Sequence, residues 1–480
     1  MNLSGRIRHA GGPRRALAWT LLLSAGAAGC DGLLDVELPG SITEGSLYDP
    51  SQAAVLVTSA IADIECGFSD FIATNGSGAE ETFVRVTGWW GGSHEFDDAP
   101  TTAECNSSNT SYGWWTPLHK GRYLAEGAYT RILEWDVPNK ERLLAQSAIY
   151  AGFTYDLFGE FFCEMAFDKG PLLSPDETLA KAEDWFTKAL GHIQAGGDFE
   201  MPATIASSAE QMALVLRARV RWARGDNAGA RVDGERVQKG FVAYATREAT
   251  GVRQRWNKVV GGNNDNPFIS LAGPVNWWSG PGNWPAVIPF TGYRDLAILP
   301  DGRAVSDDRY PITLASAGAV ADVRVPSQDM NTILNGYPFW TQQKYPDAGA
   351  DIPMANWQEV WLILAEIENE SGNGQAAIDL VNEIRDFHGL PTVTYLTAGD
   401  TEAINDMIIE ERRRSLFLEG RYWATKLREN LWFPRGVGET PYPYSYQNGI
   451  RMVMPDSEFD LNPNLEPGQQ GSLCGAQAPA

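Results

Sequence analysis

Histidine is scarce in this 480-residue chain: His9, His94, His119, His192 and His388 are scattered, and none stands in an HExxH or comparable metal-ligand spacing. There is no GxSxG nucleophile elbow. No two cysteines have CxxC spacing, so zinc and thioredoxin-like chemistry have little support. The stretch GGNNDNP at 261–267 lacks the alternating acids of a calcium loop, so no metal and no cofactor are assigned. Positive charge is also short. With 38 Lys and Arg against 61 Asp and Glu the formal charge is −23, which argues against nucleic acid, whose backbone needs cations to displace its counterions. Among so many acids chance pairs mean little, and no catalytic residue is assigned.

What is present begins at the amino terminus. Residues 1–29 hold Arg6, Arg8, Arg14 and Arg15, no acid, and a short apolar run from Leu17. That run falls well short of the roughly 18 residues that suggest a membrane span. A basic region, a short apolar region and a small-residue site make an export signal. The ending Ala27-Ala28-Gly29-Cys30 resembles a bacterial lipobox, in which Cys30 becomes the lipidated first residue, although Ala27 stands where Leu is usual. The other reading is an ordinary secretory signal, with Cys30 in a disulfide. Losing the four arginines would take the formal charge from −23 to −27.

Cys66, Cys105, Cys163 and Cys474 remain, enough for two disulfides with three pairings in an oxidising compartment. Cys66–Cys105 with Cys163–Cys474 is favoured, because the first two flank one loop-rich segment.

Residues 51–64 read as a helix, and 65–117, rich in Gly, Ser, Thr and Trp, as long loops. Helices resume at 118–134, 140–158, 180–194, 208–224 and 228–239. Between about 250 and 351 Gly, Pro, Asn and aromatic residues dominate, as in NWWSGPGNWP and YPFWTQQKYP. Loops this long in a compact protein are usually functional or disordered, and abundant Trp and Tyr argue against disorder.

An internal repeat runs through the helical parts. Placing Gln211 over Gln358 aligns Ala218 with Ala365, Gly225 with Gly372, Ala230 with Ala377 and Val237 with Ile384. Each unit reads as helix, Gly turn, helix, and weaker copies occur in AQSAIYAGFTYDLF and AKAEDWFTKAL. This matches tetratricopeptide-like packing. In the second unit Trp357, Val360, Trp361 and Leu364 follow the spacing of one buried face, as do Ala377, Leu380, Val381 and Ile384 on its partner. One helix pair cannot bury its apolar stripe alone, so several must stack.

Three segments follow in fixed order near the carboxyl end: the helix pair NWQEVWLILAEIENESGNGQAAIDLVNEIRDFHG, the charged helix IIEERRRSLFLEGRYWATKLREN, and the phrase MPDSEFDLNPNL. With the LDVELP phrase after Cys30, this order resembles the SusD/RagB family of outer-membrane nutrient-uptake lipoproteins. The resemblance implies a mainly α fold: 30–480 as one SusD-like domain, helical repeats at about 51–64, 118–240 and 356–430, and loop-rich ligand-facing segments at 65–117 and 250–351 with short strands packed on them. It implies a non-catalytic surface lipoprotein, lipid-anchored to the bacterial outer membrane. Such a protein takes a nutrient, chiefly oligosaccharide, to a SusC-like TonB-dependent transporter.

The run Glu410-Glu411-Arg412-Arg413-Arg414, followed by Glu419-Gly420-Arg421, reads as structural, since Glu and Arg at helical spacing form ion pairs. In the family the matching phrase is a signature near the core, and Ala424-Thr425-Lys426 departs from its usual Asp-Leu. The aromatic loops are the candidate ligand site. Sugar rings stack their C–H faces on flat aromatic surfaces while polar side chains take the hydroxyls. Trp89 and Trp90 lie among glycines, with Asp97, Asp98 and Asn75 as nearby polar options; Trp277, Trp278 and Trp284 form a second group, and Trp340 with Tyr337 a third. Burial of these rings inside the loops is the plainer reading for any one of them. Two other classes remain: a helical-repeat scaffold for envelope assembly with no nutrient ligand, and a secreted hydrolase, which would need acids converging in a pocket.

Overall fold

The computed structural model describes residues 48–79, 81–84, 114–248, 269–271, 293, 296–306, 318–334, 337–347, 349–431, 451–466 and 469. The chain divides after Asp49, and every element below belongs to the unit Pro50–Ala480.

The frame is a stack of helices in chain order. α1 (Ala53–Gly78), α2 (Trp115–Glu134), α3 (Lys140–Phe161), α4 (Pro175–Gly196), α5 (Ala209–Ala223) and α6 (Asn227–Gly234) each pack on the next. α5 and α6 then lie against α7 (Trp357–Glu370), which pairs with α8 (Gly374–Phe387) and carries α9 (Thr401–Ser415). α10 (Tyr422–Arg428) returns to touch α1 and α3, and α11 (Asp456–Leu461) lies in the closing phrase. Side chains fix several starts. Ser174 and Glu177 form a reciprocal capping box at α4, and Ser208, Asp226, Asn356 and Asp400 each accept a main-chain N–H of the helix they precede. No helix among the described residues is long and apolar enough to cross a membrane.

The repeat read from sequence is present in atomic detail. Gly225 and Gly372 take φ of 82° and 81°, the left-handed conformation that ends a helix most cheaply with glycine. The N–H of Asp226 donates to Arg221 O and that of Asn373 to Glu368 O, both at 2.8 Å. These are equivalent atoms at the 147-residue offset. The aligned pairs Gln211 and Gln358, Ala218 and Ala365, Ala230 and Ala377, and Val237 and Ile384 are all buried.

Several expectations need correction. α1 continues to Gly78, through residues read as loop, because Ile64, Phe68, Phe71 and Ile72 are buried in the core. Phe71 meets Trp114 and Phe161 edge-to-face. Burial there outweighs the low helix propensity of Gly67, Ser69, Thr74 and Asn75. α2 begins at Trp115 rather than 118, and α6 ends at Gly234 rather than 239. α7 is buried on more than one face, since Leu362 and Ile363 are as enclosed as Val360, while Trp361 is half-buried. The charged segment is two helices, α9 and α10, broken by a reversal at 416–421.

Nine short strands complete the described elements: β1 (Thr82–Val84), β2 (Val242–Ala245), β3 (Ile269–Leu271), β4 (Leu296–Ile298), β5 (Ala304–Ser306), β6 (Val320–Ala321), β7 (Ser327–Leu334), β8 (Tyr337–Gln342) and β9 (Ile352–Asn356). All pair antiparallel, as β1 with β3, β2 with β9, β5–β4–β6, and β7 with β8.

Arg412, Arg413 and Arg414 of α9 and Arg421 just before α10 are buried, and most of their partners are distant in sequence, not the local pairs expected. Glu410 does hold Arg413 and Arg414 within one turn. Arg414 also reaches Asp322, Arg412 pairs with Glu366, and Glu411 receives both Arg324 and Arg385. Arg421 bridges Glu160 of α3 and Glu359 of α7, and Arg219 of α5 joins the same cluster through Glu359 and Asp156. Burial alone would raise Glu359 and Glu411, but the flanking guanidinium charges hold both below the usual carboxylate range. Asp156, enclosed and beside Glu160, is instead pushed up to about 8.

Removing one member of such a pair leaves an uncompensated buried charge, which costs about 3–5 kcal/mol. Arg421→Ala is expected to lower unfolding free energy by that amount in urea titration, and Arg412→Ala to lower it less, since Glu366 would keep Arg428 and the Trp222 N–H. A variant that melts normally yet loses ligand binding would assign these arginines to the site instead.

Candidate functional site

The reversal at 416–421 gathers residues from the start of β1 and from just after β8. Leu418 (φ 52°) and Gly420 (φ 71°) are left-handed, and a Cβ on Gly420 would collide with Ile72. This geometry offers main-chain groups to outside partners. Tyr345 donates its hydroxyl to Leu418 O at 2.9 Å, and Lys344 Nζ donates to Phe417 O and to Glu419, both at 2.7 Å. The Leu418 N–H donates to Glu81 Oε1 at 3.1 Å. Tyr293 stacks on Phe417 with centroids 5.0 Å apart, and the Arg413 guanidinium lies 4.7 Å from the Tyr293 ring centre.

Glu81 immediately precedes β1, and Lys344 lies two residues past the end of β8, so the reversal grips the base of both strands. β3 joins them: it pairs with β1 in the register Thr82↔Leu271 to Val84↔Ile269 and packs beside β8. The three strands that adjoin the aromatic segments are therefore neighbours, although the antiparallel register puts Val84 and Leu271, the last residues of β1 and β3, at opposite ends of that pair.

Trp89, Trp90, Asp97 and Asp98 follow β1 in sequence, and Trp277, Trp278 and Trp284 follow β3; all seven lie outside the described residues. Trp340 lies in β8, its backbone opposite Asp329, and Tyr337 opposite Leu334. Asn75 departs from expectation. It is wholly enclosed in α1, and its side-chain oxygen and nitrogen have no hydrogen-bond partner among the described residues. Cys66 and Cys163 are each disulfide-bonded, while Cys30, Cys105 and Cys474 lie outside the described residues.

Glu81 is enclosed by protein, with Oε2 unpartnered among the described residues. Burial pushes its carboxyl up to about 8, against the opposing pull of the Leu418 N–H, Lys344 and Arg413. His119, stacked 4.3 Å from Trp115 and 4.5 Å from Phe158, is driven down to about 3 by burial and by Arg122. His192 joins Glu141 at 2.6 Å and Tyr129 at 2.9 Å, tying α2, α3 and α4 together. Among the described residues no group of three or more His, Cys, Asp or Glu is arranged to hold a metal ion.

Sequence reasoning missed a cleft of about 520 Å³ between β2, the segment after β8, the start of α7 and the end of α8. Tyr244, Gln343, Asp351, Gln358, Phe387 and His388 are among its lining residues. They come from five separate stretches and carry no shared motif. The one local signal is Phe387, an aromatic residue that closes an amphipathic helix yet remains 51% exposed.

The helical-repeat frame with short strands rooted on it defines a class of tetratricopeptide-like repeat folds, and known proteins show which of these it resembles. Residues 341–428 match the model of the SusD family. A SusD-like protein P38 of Formosa agariphila is 36% identical over 86 residues, a match spanning 17% of this chain and 17% of that relative. Among solved structures, a SusD-like carbohydrate binding protein from Bacteroides fragilis superposes with a TM-score of 0.58 at 15% identity, covering 88% of this chain and 99% of that one. Surface glycan-binding protein A from Bacteroides thetaiotaomicron, in complex with laminarihexaose, gives 0.56 at 14% identity, covering 86% and 98%. Residues 341–428 are therefore SusD-like in sequence, and the fold is that of the SusD-like structures.

A carboxyl group raised from 4.5 to about 8 on folding adds stability that is full below pH 4.5 and is lost as pH rises through 8. Glu81→Gln keeps an acceptor for the Leu418 N–H and removes the titration. Urea unfolding measured from pH 4.5 to 9 should show a flatter decline than wild type, with Asp156 supplying part of what remains. An unchanged slope would mean that Glu81 titrates normally.

Proposed function

We propose that this chain is a non-catalytic surface lipoprotein that binds an oligosaccharide on its aromatic segments and delivers it to a TonB-dependent transporter of the outer membrane. The observation that carries the reading is the convergence of β1, β3 and β8 on a frame of SusD type. Trp89 and Trp90 stand five and six residues past Val84, and Trp277 and Trp278 six and seven past Leu271. At no more than about 3.6 Å per residue, the chain keeps Trp89 and Trp277 within roughly 22 Å of paired strands. Trp340, within β8, belongs to the same neighbourhood. Flat indole rings offer large contact area to the C–H faces of sugar rings at little entropy cost, and Asp97 supplies an acceptor for hydroxyls. Laminarihexaose, the ligand of one structural neighbour, is a reasonable first probe.

In this reading Cys30 carries the lipid, and a SusC-like barrel covers the ligand from the membrane side. The disulfide pairing Cys66–Cys105 with Cys163–Cys474 would staple the segment after α1 and the carboxyl-terminal tail.

Calorimetric titration of the soluble domain against a glycan and peptide panel should find an oligosaccharide that binds. Trp89→Ala/Trp90→Ala should weaken that binding at least about tenfold without changing the melting temperature. Binding of peptides alone, or binding indifferent to the double variant, would overturn the glycan assignment. Cys30→Ser should shift the protein from the membrane to the soluble fraction. A pull-down from native membranes should recover a TonB-dependent barrel, and repeated recovery of none would remove the transporter from the proposal.

A further inference from the structure

We propose that the cleft between β2 and the end of α8 is a second saccharide site, separate from the aromatic segments, that takes a neutral, hydroxyl-rich ring. Its size falls within the range of small-molecule pockets. What it can bind follows from which of its groups are already occupied.

The two cations that line it have partners. Lys344 is held by Glu419 at 2.7 Å, and Arg324 by Asp322 at 2.8 Å and by Glu411. Neither is available to an incoming anion. His388 donates Nε2–H to Gln358 Oε1 at 3.0 Å, and burial followed by the nearby Arg324 charge holds its pKa near 4, so it stays uncharged at neutral pH. The walls therefore present little net charge.

Other polar atoms keep unused capacity. Asp351 spends Oδ1 on the Arg247 N–H at 2.7 Å, and Gln343 spends its amide NH₂ on Thr341 at 2.8 Å. Asp351 Oδ2, Gln343 Oε1, Gln358 Nε2 and the Tyr244 hydroxyl have no partner among the described residues. Two acceptors, a donor and a hydroxyl that can do either suit ligand hydroxyls, which both give and accept.

Phe387 supplies the apolar surface. Its ring is half-exposed and fixed from behind by Trp357, edge-to-face at 5.2 Å, and from the side by His388 at the same distance. Held by these contacts, it loses little freedom when a sugar face stacks on it. A purely apolar ligand would leave the amides and Asp351 unsatisfied, and an anion would meet Asp351 with no free cation to offset it.

The test is amide hydrogen exchange with laminarihexaose, maltohexaose and xylohexaose, and with hexagalacturonate as the anionic control. At least one neutral hexaose should slow exchange at 240–245, 343–345 and 387–390. That protection should persist in Trp89→Ala/Trp90→Ala, which separates this site from the aromatic segments. Phe387→Ala should weaken it roughly tenfold, and Tyr244→Phe, which cannot disturb the fold by loss of volume, by several-fold. If Phe387→Ala lowers the melting temperature, Tyr244→Phe decides. No protection with any neutral hexaose, protection lost with the Trp pair, or equal protection by hexagalacturonate would overturn the proposal.

Discussion

The structure depends on keeping a set of guanidinium groups ionised inside protein. A charge removed from water is costly unless its partners are close and its remaining hydrogen-bond capacity is filled. Arg421 meets this by lying between α3 and α7, so the two helices must stand at one spacing for Glu160 and Glu359 both to reach it. Arg219 imposes the same condition on α5 through Glu359, and its NH₂ group also donates to Met354 O at 2.7 Å. Apolar packing alone would let stacked helices slide by small amounts at little cost. A shared carboxylate does not.

That rigidity is carried out of the helices by the break between α9 and α10. Had the charged segment run on as one helix, the main-chain groups of 416–421 would have been spent within it. The left-handed residues free them instead, and they hold Glu81, Lys344 and Tyr345 at the bases of β1 and β8. The ion pairs fix the reversal, and the reversal fixes the strands from which the aromatic segments depart. Two- and three-stranded sheets this short are marginal by themselves, so their position is borrowed from the helical frame.

Much of this was legible in the sequence because it has a period. The 147-residue offset predicted that Gly225 and Gly372 would occupy equivalent turns, and both do with almost equal φ. Pattern reading failed where tertiary contacts overrule local preference. The second half of α1 is poor in helix formers yet helical, because Phe68, Phe71 and Ile72 have a core to enter. The arginine run was readable as structural, but spacing suggests only partners within the helix. Nothing in it points to Asp322 or Glu160, which lie 92 and 261 residues away. For the same reason the cleft left no trace, its walls being assembled from segments that meet only after folding.

The distribution of likeness to known proteins has the same physical origin. Superposition extends over most of the chain at 15% identity, whereas the family model matches 341–428. Helix-on-helix packing accepts many combinations of apolar residues with the right total volume. A buried ion network accepts few, because exchanging one arginine or glutamate strands its partner. Residues 341–428 hold Glu359, Glu366, Arg385, Glu410 to Arg414, Glu419, Arg421 and Arg428, while Glu160, Arg219, Asp322 and Arg324 lie outside as separate contributions. The matched segment is therefore also the one that holds most of the enclosed charge.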